Sequence, residues 1–248
     1  MKCFFKKYLS NNIDWRHLSS NSNDNAVKLL EHNLEKIDWY LLSLNHNDSA
    51  VILLEDNINL IDWTQLSLNH NDYAVLLLDE NRDKIDWFNL SANPNDYAFL
   101  LLEENMDMID WSQLSLNPNA KAVKLLLLDE NMDKIDWTHL SANPNDDVVK
   151  LLLLEENRNR INWNYLCYNT NKEIINLLEK NTDKIDWTAL SMNYNAFELL
   201  KKNMDKIDWY NFMLNENIES IYLFEKNIDK IENNIFSNPN IFYKDSII

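Results

Sequence analysis

The sequence Lys84-Ile85-Asp86-Trp87-Phe88-Asn89-Leu90-Ser91-Ala92-Asn93 recurs with small changes along nearly the whole chain. Its most constant part is Ile-Asp-Trp, followed three residues later by an apolar residue that is usually Leu. A fixed period of about 24 residues is typical of stacked repeats, which share one continuous core. We therefore expect one domain over residues 1–248, with an N-terminal cap at 1–12, tandem repeats at 13–229 and a degenerate cap at 230–248. Every tryptophan of the chain lies in one copy: Trp15, Trp39, Trp63, Trp87, Trp111, Trp137, Trp163, Trp187 and Trp209.

Each copy contains two helical patterns. In residues 71–81, Ala74, Leu77 and Leu78 stand at i, i+3 and i+4, which predicts a helix of about ten residues that we name helix A. Residues 87–92 form a second pattern, helix B, which is short enough to be partly a 3-10 helix. Isolated helices of this length are unstable in water, so stacking must stabilise them. The sequence therefore predicts an all-α fold, an α-solenoid of about ten repeats of about 24 residues.

Tryptophan is the largest side chain of the repeat, and a buried one removes about 150–250 Å² of surface from water. We therefore expect the tryptophan column to be the centre of the core. Ten layers of helices packed about 8–10 Å apart would give a rod about 80–100 Å long before any curvature. Two copies carry two extra residues, at 120–131 and 146–157, and there we predict a longer or bulged helix A.

Glycine is absent from the chain, which excludes glycine-rich phosphate loops and dinucleotide-binding fingerprints. Asparagine is the usual substitute where the backbone must be left-handed. We expect that role for the asparagine that ends helix A in each copy: Asn33, Asn57, Asn81, Asn105, Asn131, Asn157, Asn181, Asn203 and Asn227.

Several polar columns have a structural interpretation. An Asp precedes most of the tryptophans and is suited to cap helix B; one copy replaces it with Asn162, which suits a cap better than a cation ligand. The recurrent Ser after Leu fits a local bond to the backbone. His46 and His70 occupy equivalent turns, where a metal site or a pH sensor is the alternative to a tolerant surface position. His17 and His139 have no partner that the sequence identifies. We predict no catalytic residue, no metal site, no cofactor and no enzymatic activity.

The chain has a net charge of −17, from 23 basic and 40 acidic residues. Nucleic-acid backbones and anionic membranes both require a basic face, so neither is expected as a partner. Two cysteines, Cys3 and Cys167, are typical of a reduced, intracellular protein. No apolar run is long enough for a signal peptide or a membrane span. The location that we expect is intracellular.

Two sets of residues are candidates for contact with a protein partner. Acidic residues end most copies of helix A, where a solvated, salt-bridged edge is the alternative to a binding strip. Lysines of the following turn could offset their charge: Lys36, Lys84, Lys134, Lys184 and Lys206. The positions after each Trp and near the start of helix A vary most, and aromatic side chains there suit binding hot spots, with drift as the alternative. The candidates are Tyr40, Tyr73, Phe88, Tyr97, Tyr210, Glu80, Glu104 and Glu130.

The pattern of Ile85-Asp86-Trp87, Leu90-Ser91, Asn93-Pro94-Asn95 and Leu101-Leu102 resembles the tandem short repeats of uncharacterised proteins from large DNA viruses of amoebae, the mimivirus-like group. The resemblance covers nearly the whole chain. It implies a helical repeat scaffold of viral origin, located in the host cytoplasm, without an active site. The alternation of a longer and a shorter helix is similar in shape to leucine-rich-variant repeats.

The function that we predict is a non-enzymatic protein–protein interaction scaffold, which binds a partner through its exposed variable positions and its acidic edge. The alternative is a structural protein that assembles head to tail or in a virion, because weakly capped repeat ends can stack. A nucleic-acid reader with one base per repeat is a third hypothesis, which the net charge disfavours.

Overall fold

The computed structural model describes residues 13–230, 235 and 237–242 of the chain. These residues form α-helices and 3-10 helices and include no strand, which confirms the predicted all-α repeat architecture. The predicted N-terminal cap, residues 1–12, lies outside the described residues. No helix among those described is long and apolar enough to span a membrane.

Two α-helices and one 3-10 helix make up most repeats. The helix B copies are α1 (Trp15–Ser19), α3 (Trp39–Leu44), α5 (Trp63–Leu68), α7 (Trp87–Ala92), α9 (Trp111–Leu116), α11 (Trp137–Ala142), α13 (Trp163–Leu166), α15 (Trp187–Met192) and α17 (Trp209–Phe212). The helix A copies are α2 (Asp24–Glu31), α4 (Asp48–Glu55), α6 (Asp72–Glu80), α8 (Asp96–Glu104), α10 (Ala120–Leu126), α12 (Asp146–Leu153), α14 (Lys172–Glu179), α16 (Phe197–Lys202) and α18 (Ser220–Lys226). The 3-10 turn expected within helix B instead follows helix A as a separate segment: Leu34–Lys36, Ile58–Leu60, Arg82–Lys84, Met106–Met108, Asp129–Lys134, Glu155–Arg160, Thr182–Lys184, Met204–Lys206 and Ile228–Lys230. Two further 3-10 helices are Tyr194–Ala196 and Pro239–Phe242.

Side-chain caps define where both helices begin. Asp86 Oδ1 accepts a hydrogen bond from the backbone N–H of Asn89 at 3.0 Å, and the equivalent Asp or Asn caps the other helix B copies given above. At the start of α6, Asn71 Oδ1 accepts from the N–H of Tyr73 at 2.8 Å. Such caps satisfy N–H groups that the first helical turn leaves without a partner. The predicted capping role of the Asp column is confirmed.

The centre of the core is a column of leucines, one from each helix B except α17, where Phe212 takes the place. Leu90 is fully buried, whereas Trp87 in the same helix is only half-buried, so the expected tryptophan core is wrong. The reason is that the tryptophan stands at the first position of helix B, at the margin of the stack. There its ring face is open to a cation from the next repeat. Lys134 Nζ, for example, lies 4.0 Å from the ring centre of Trp111, a cation–π contact between neighbouring repeats.

The asparagine after helix A caps that helix without a left-handed backbone. No described residue has a positive φ. Asn81 has φ −128° and ψ 49°, and its Nδ2 donates to the carbonyl oxygen of Leu77 at 2.8 Å. The expectation of left-handed caps is therefore wrong. The side-chain amide satisfies the free carbonyl, which removes the need for a backbone reversal.

The two extra residues at 120–131 and 146–157 do not lengthen helix A, and that prediction is wrong. Helix α10 has 7 residues, and the 3-10 helix after it, Asp129–Lys134, has 6 residues where Arg82–Lys84 has 3. Asn131 Nδ2 still donates to Leu125 O, at 2.9 Å. The extra residues are placed after α10, so its buried face keeps its phase with the neighbouring helices.

A column of serines forms the first set of hydrogen bonds between repeats. Ser67 Oγ donates to Trp63 O at 2.8 Å, which confirms the predicted local bond. The same oxygen accepts from the backbone N–H of Asp86, in the next repeat, at 3.0 Å. Cys167 occupies this position in one repeat. The serine column is Ser19, Ser43, Ser67, Ser91, Ser115, Ser141 and Ser191.

Two columns of asparagines form the second and third sets of hydrogen bonds between repeats. Asn93 is fully buried, and its Nδ2 donates to Ser67 O and Asn69 O of the preceding repeat, both at 2.9 Å. Asn95 caps α8 with its Oδ1 and donates from Nδ2 to His70 O at 3.0 Å. The Asn-X-Asn motif is therefore what joins each repeat to the one before it. The first asparagine column is Asn21, Asn45, Asn69, Asn93, Asn117, Asn143, Asn169, Asn193, Asn215 and Asn238, and the second stands two residues after each of these.

The stack of repeats curves until its two ends meet. At the Asn-X-Asn loops, neighbouring repeats are close enough for a single side chain to bridge their backbones. Neighbouring helices A are farther apart and leave grooves between them. Because the repeats are closer together at the loops, the loops lie inside the curve. Asn21 Nδ2 donates to Asn238 O at 3.1 Å, the same bond, in the same direction, that Asn45 makes to Asn21 O. The first repeat therefore follows the last one as any repeat follows its predecessor, and the repeats form a closed ring. The expected rod is wrong, because unequal spacing on the two sides of every repeat adds up along the chain.

Candidate partner-binding surface

The eight residues predicted to contact a partner are all exposed, but they do not form one surface. One group lies on helices A: Tyr73 and Glu80 on α6, Tyr97 and Glu104 on α8. A second group occupies the second position of helix B in three repeats: Tyr40, Phe88 and Tyr210. Glu130 belongs to the 3-10 helix Asp129–Lys134, apart from both groups.

Two adjacent grooves on the outside of the ring bring the helix A group together. Tyr73 and Glu80 line the groove between α4 and α6. Tyr97 and Glu104 line the next groove, between α6 and α8. Leu76 lines both grooves, so the surface is continuous across three helices. We name its apolar members the outer row: Ile52, Tyr73, Leu76, Tyr97 and Leu100.

The aliphatic side chains of the outer row are functional candidates that the sequence interpretation missed. Leu76 is 47% exposed, although Leu77 and Leu78 beside it are buried. The signal was available, because Leu76 stands two residues after Ala74 and therefore off the buried face of the helix. The equivalent position is polar in five other copies of helix A, as Lys28, Lys124, Lys150, Asn176 and Glu198, and is Tyr222 in the last copy. Aliphatic residues occupy it in three consecutive repeats only, which makes a contiguous patch.

Acidic side chains flank the outer row. Arg82 lies 2.5 Å from Asp79 and 3.1 Å from Glu104, so one cation bridges α6 to α8. Hydrogen bonds to these two carboxylates raise the pKa of Arg82. Glu55 and Glu80 form no ion pair with a described residue, and both line the first groove. The surface therefore combines an apolar strip with a net negative margin.

The lysines expected to offset the charge at the end of helix A have other neighbours. Lys84 Nζ lies 3.1 Å from Asp83, the residue just before it. Lys134 lies over Trp111, as described above, and Lys184 lies 4.2 Å from the ring centre of Trp163. Lys134 and Lys184 therefore stack on tryptophan rings, and Lys84 pairs with its neighbour in sequence, instead of pairing with the acidic residues that end helix A.

The helix B group does not form a patch. Tyr40 and Phe88 are both about half exposed, but the repeat between them carries Thr64 at the same position. Tyr210 lies several repeats farther on, after Ser112, Thr138, Asn164 and Thr188. On the helix B side of the molecule, a partner would therefore contact isolated aromatic side chains, each surrounded by polar side chains.

The inner rim of the ring carries His46 and His70, whose side chains are stacked with ring centres 4.6 Å apart. Solvent reaches both side chains, yet enough protein surrounds them for burial to lower the pKa of each one. His46 lowers the pKa of His70 further, while the Glu216 carboxylate raises it. Glu216 is the middle residue of another Asn-X-Asn loop, Asn215-Glu216-Asn217. Among the described residues, no three His, Cys, Asp or Glu side chains are grouped to hold a metal ion.

The Ser112, Asp136 and His139 side chains meet between two repeats, and so His139 does have a partner. Ser112 Oγ donates to Asp136 Oδ2 at 2.6 Å, and His139 Nδ1 lies 2.9 Å from the same oxygen. Burial alone would raise the pKa of Asp136, but these hydrogen bonds outweigh it and hold that pKa below its usual value. His17 Nδ1 lies 3.1 Å from Asp14 Oδ2, but that contact lacks the geometry of a hydrogen bond.

This cluster differs from a nucleophilic triad. In a triad, the hydroxyl donates to one imidazole nitrogen and the carboxylate holds the other. Here Ser112 Oγ and Asp136 Oδ2 both approach Nδ1 of His139, and the hydroxyl proton goes to the carboxylate. The arrangement caps α11 and joins two repeats, and it provides no activated hydroxyl. Comparison of the chain with known protein families, with curated proteins and with solved structures finds no match.

Proposed function

We propose that this protein is a ring-shaped interaction scaffold that binds a basic, amphipathic helical segment of another protein along its outer row. The observation that carries the proposal is the row itself. Three consecutive copies of helix A expose Ile52, Leu76 and Leu100 where five other copies carry Lys, Asn or Glu. Tyr73 and Tyr97 extend the same strip, and exposed aromatic residues are frequent anchors of protein interfaces.

The spacing of the row suits a helix as the bound segment. Neighbouring packed helices are about 8–10 Å apart, so the exposed side chains of the row follow one another at about that distance. Residues seven apart on an α-helix are about 10 Å apart along its axis. A helix with apolar residues at a seven-residue interval would therefore place one in each groove.

Charge supports a basic partner. Glu55, Glu80 and Glu104 lie along the two grooves, and the whole chain has a net charge of −17. Lysines on the polar face of the bound helix would meet this margin, which would speed association and weaken with added salt. The same charge favours protein over nucleic acid as the partner.

A model amphipathic helix with Leu on one face and Lys on the other, labelled with fluorescein, tests the proposal by fluorescence anisotropy. The informative variant is Leu76→Asn/Leu100→Asn, because Asn176 already occupies the equivalent position and the fold tolerates it. We expect it to bind the peptide at least about tenfold more weakly, a loss of about 1.4 kcal/mol or more. Tyr40→Ser/Phe88→Ser, on the helix B side, is the matched control and should bind as the wild type does.

Two results would contradict this function. One is equal binding by the outer-row variant and the helix B control, since the acidic chain would then attract the peptide without a specific surface. The other is equal binding of a peptide with Glu in place of Lys. Head-to-tail assembly is the second candidate function. It ranks below the first because the bond from Asn21 to Asn238 already joins the two ends within one chain.

A further inference from the structure

The outer row leads into a third groove, between α8 and α10, whose charged side chains are mainly basic. Leu100 lines both this groove and the second one, between α6 and α8, so the apolar strip continues onto α10. Leu125 and Leu128 lie on the α10 side of the third groove, and Leu128 is 41% exposed. Lys121 and Lys124 line the same side. The apolar surface therefore ends at a basic helix.

The charge of helix A reverses between α8 and α10. The three helices of the outer row contain carboxylates and no cation, two carboxylates in α4 and three each in α6 and α8. Helix α10 contains two lysines and is the one copy of helix A, among those described, without a carboxylate. Beyond the other end of the row, α2 carries one lysine and two carboxylates, so it is acidic in sum. The surface therefore changes from negative to positive at the α10 end alone.

The lysines of α10 are available to a bound molecule to different extents. Lys121 Nζ lies 3.3 Å from Asp96 Oδ2 of α8, in an ion pair whose two side chains are both more than half exposed. Lys124 forms no ion pair with any residue in the described part of the chain. It occupies the position of Leu100 in the next repeat, so it continues the line of the outer row. An acidic group at the end of a bound segment would therefore meet Lys124 first.

A helix bound along the row would be sensitive to this reversal, because its two ends carry opposite partial charges. The N-terminus of an α-helix carries about half a positive elementary charge, and the C-terminus carries about half a negative one. With the N-terminus over α4 and the C-terminus over α10, each end lies beside charges of the opposite sign. In the reverse direction, each end lies beside charges of its own sign.

We propose that the helical segment bound along the outer row lies in one direction, with its N-terminus over α4 and its C-terminus over α10, and that its last turn is acidic and pairs with Lys121 and Lys124. The inference rests on the proposed function and adds to it the direction and the end of the partner. The partner is a basic amphipathic helix that ends in carboxylates. Charge complementarity along three adjacent grooves is what selects it.

Disulfide capture of a model peptide tests the direction. The peptide is the Leu/Lys helix described above with two Glu in its last turn, blocked at both ends, and with one Cys at either its first or its last residue. The protein is the full-length chain with Cys3→Ser and Cys167→Ser, and serine is the residue that most other repeats have in place of Cys167. It carries either Ile52→Cys, in the first groove, or Leu128→Cys, in the third. Both positions are exposed, and the rate of capture is followed on non-reducing gels.

We expect the peptide with the C-terminal Cys to be captured by Leu128→Cys at least about tenfold faster than by Ile52→Cys. The peptide with the N-terminal Cys should show the opposite preference. Equal rates at the two protein positions, or the inverse pattern, would refute the proposed direction.

A charge reversal tests whether α10 sets that direction. Lys121→Glu/Lys124→Glu should abolish the tenfold preference, and the fold should accommodate it because other copies of helix A carry Glu at each of these positions. The matched control is Lys172→Glu/Lys180→Glu, on and just after α14, which changes the net charge equally and should keep the preference. A preference that survives the change at α10 would overturn the role of the two lysines.

The outer-row variant separates this inference from the proposed function. Leu76→Asn/Leu100→Asn should slow capture of both peptides at both protein positions. If it slows none of them, the proposed function fails and the direction fails with it. Capture that depends on the row but shows no preference between the two ends would refute the direction and leave the proposed function standing.

Discussion

Asn93→Leu would measure how much the asparagine columns contribute to stability. The substitution removes two hydrogen bonds from Nδ2, to Ser67 O and Asn69 O at 2.9 Å, and one to Oδ1 from the N–H of Asn95 at 3.0 Å. Asn93 and the two residues whose carbonyls it bonds are buried, so water cannot replace these bonds. At about 1–3 kcal/mol for each buried group left without a partner, the free energy of unfolding should fall by about 3–9 kcal/mol. That is a large share of the about 5–15 kcal/mol that stabilises a typical domain.

The matched control is Asn89→Leu, four residues earlier. Asn89 Nδ2 makes one bond between repeats, to Thr64 O at 3.0 Å, in an exposed setting. Water can take over that bond, so the expected loss is about 1 kcal/mol or less. Urea titration followed by tryptophan fluorescence and by circular dichroism gives both values. If the two variants lost the same free energy, the buried asparagine column would not be what holds the repeats together.

Three further predictions concern the core and the titrating groups. Leu90→Ala should reduce the free energy of unfolding by about 2–5 kcal/mol, and by more than Trp87→Leu does, because only Leu90 is fully buried. A smaller effect of Leu90→Ala than of Trp87→Leu in urea titrations would contradict the leucine core. His46 and His70 have a lowered pKa in the fold, so their contribution to stability is complete above the unfolded pKa of about 6.5 and is lost as pH falls through the folded values. In thermal melts, His46→Gln/His70→Gln should therefore lose less stability than the wild type as the pH falls, and NMR titration of the wild type should show both lowered pKa values. Burial raises the pKa of the Cys167 thiol to about 11. In a chain whose other cysteine is replaced by Ser, the Cys167 thiol should therefore react with thiol reagents at pH 8 far more slowly in the fold than in urea. Equal rates would show that the thiol is accessible.

The closed ring gives the first described repeat a neighbour on both of its sides. An open stack needs polar caps, because its first and last repeats would expose apolar faces. In this protein the first described repeat is buried as well as the interior ones are, with Leu18, Val27 and Leu30 at 0% exposure. The bond from Asn21 to Asn238 supplies the neighbour that an open end would lack.

Local structure followed from local sequence. The i, i+3, i+4 spacing of Ala74, Leu77 and Leu78 predicted helix A, and all three residues are buried. Asp86 was identified as a cap because its side chain reaches an N–H group only three residues away. These contacts depend on the backbone of one repeat alone, which is why pattern and residue type were sufficient to predict them.

The roles of tryptophan and asparagine were misjudged for different reasons. Size suggested that Trp87 should be buried most deeply, but its place at the start of helix B leaves one ring face open. Asn81 was expected to adopt a left-handed backbone, and its side-chain amide instead caps the helix directly. The position of Asn93 in each repeat was visible, but its two acceptors lie 24 and 26 residues earlier in the chain.

Period, helix boundaries and caps are encoded within each repeat, because they involve hydrogen bonds and apolar faces only a few residues apart. The ring and the outer row are not encoded in this way. Closure depends on a small angle between neighbours, set by close contact at the Asn-X-Asn loops and wider spacing at helices A, and this angle adds up until Asn21 meets Asn238. The outer row likewise exists because stacking places Ile52, Leu76 and Leu100 side by side, on a face that no other repeat covers.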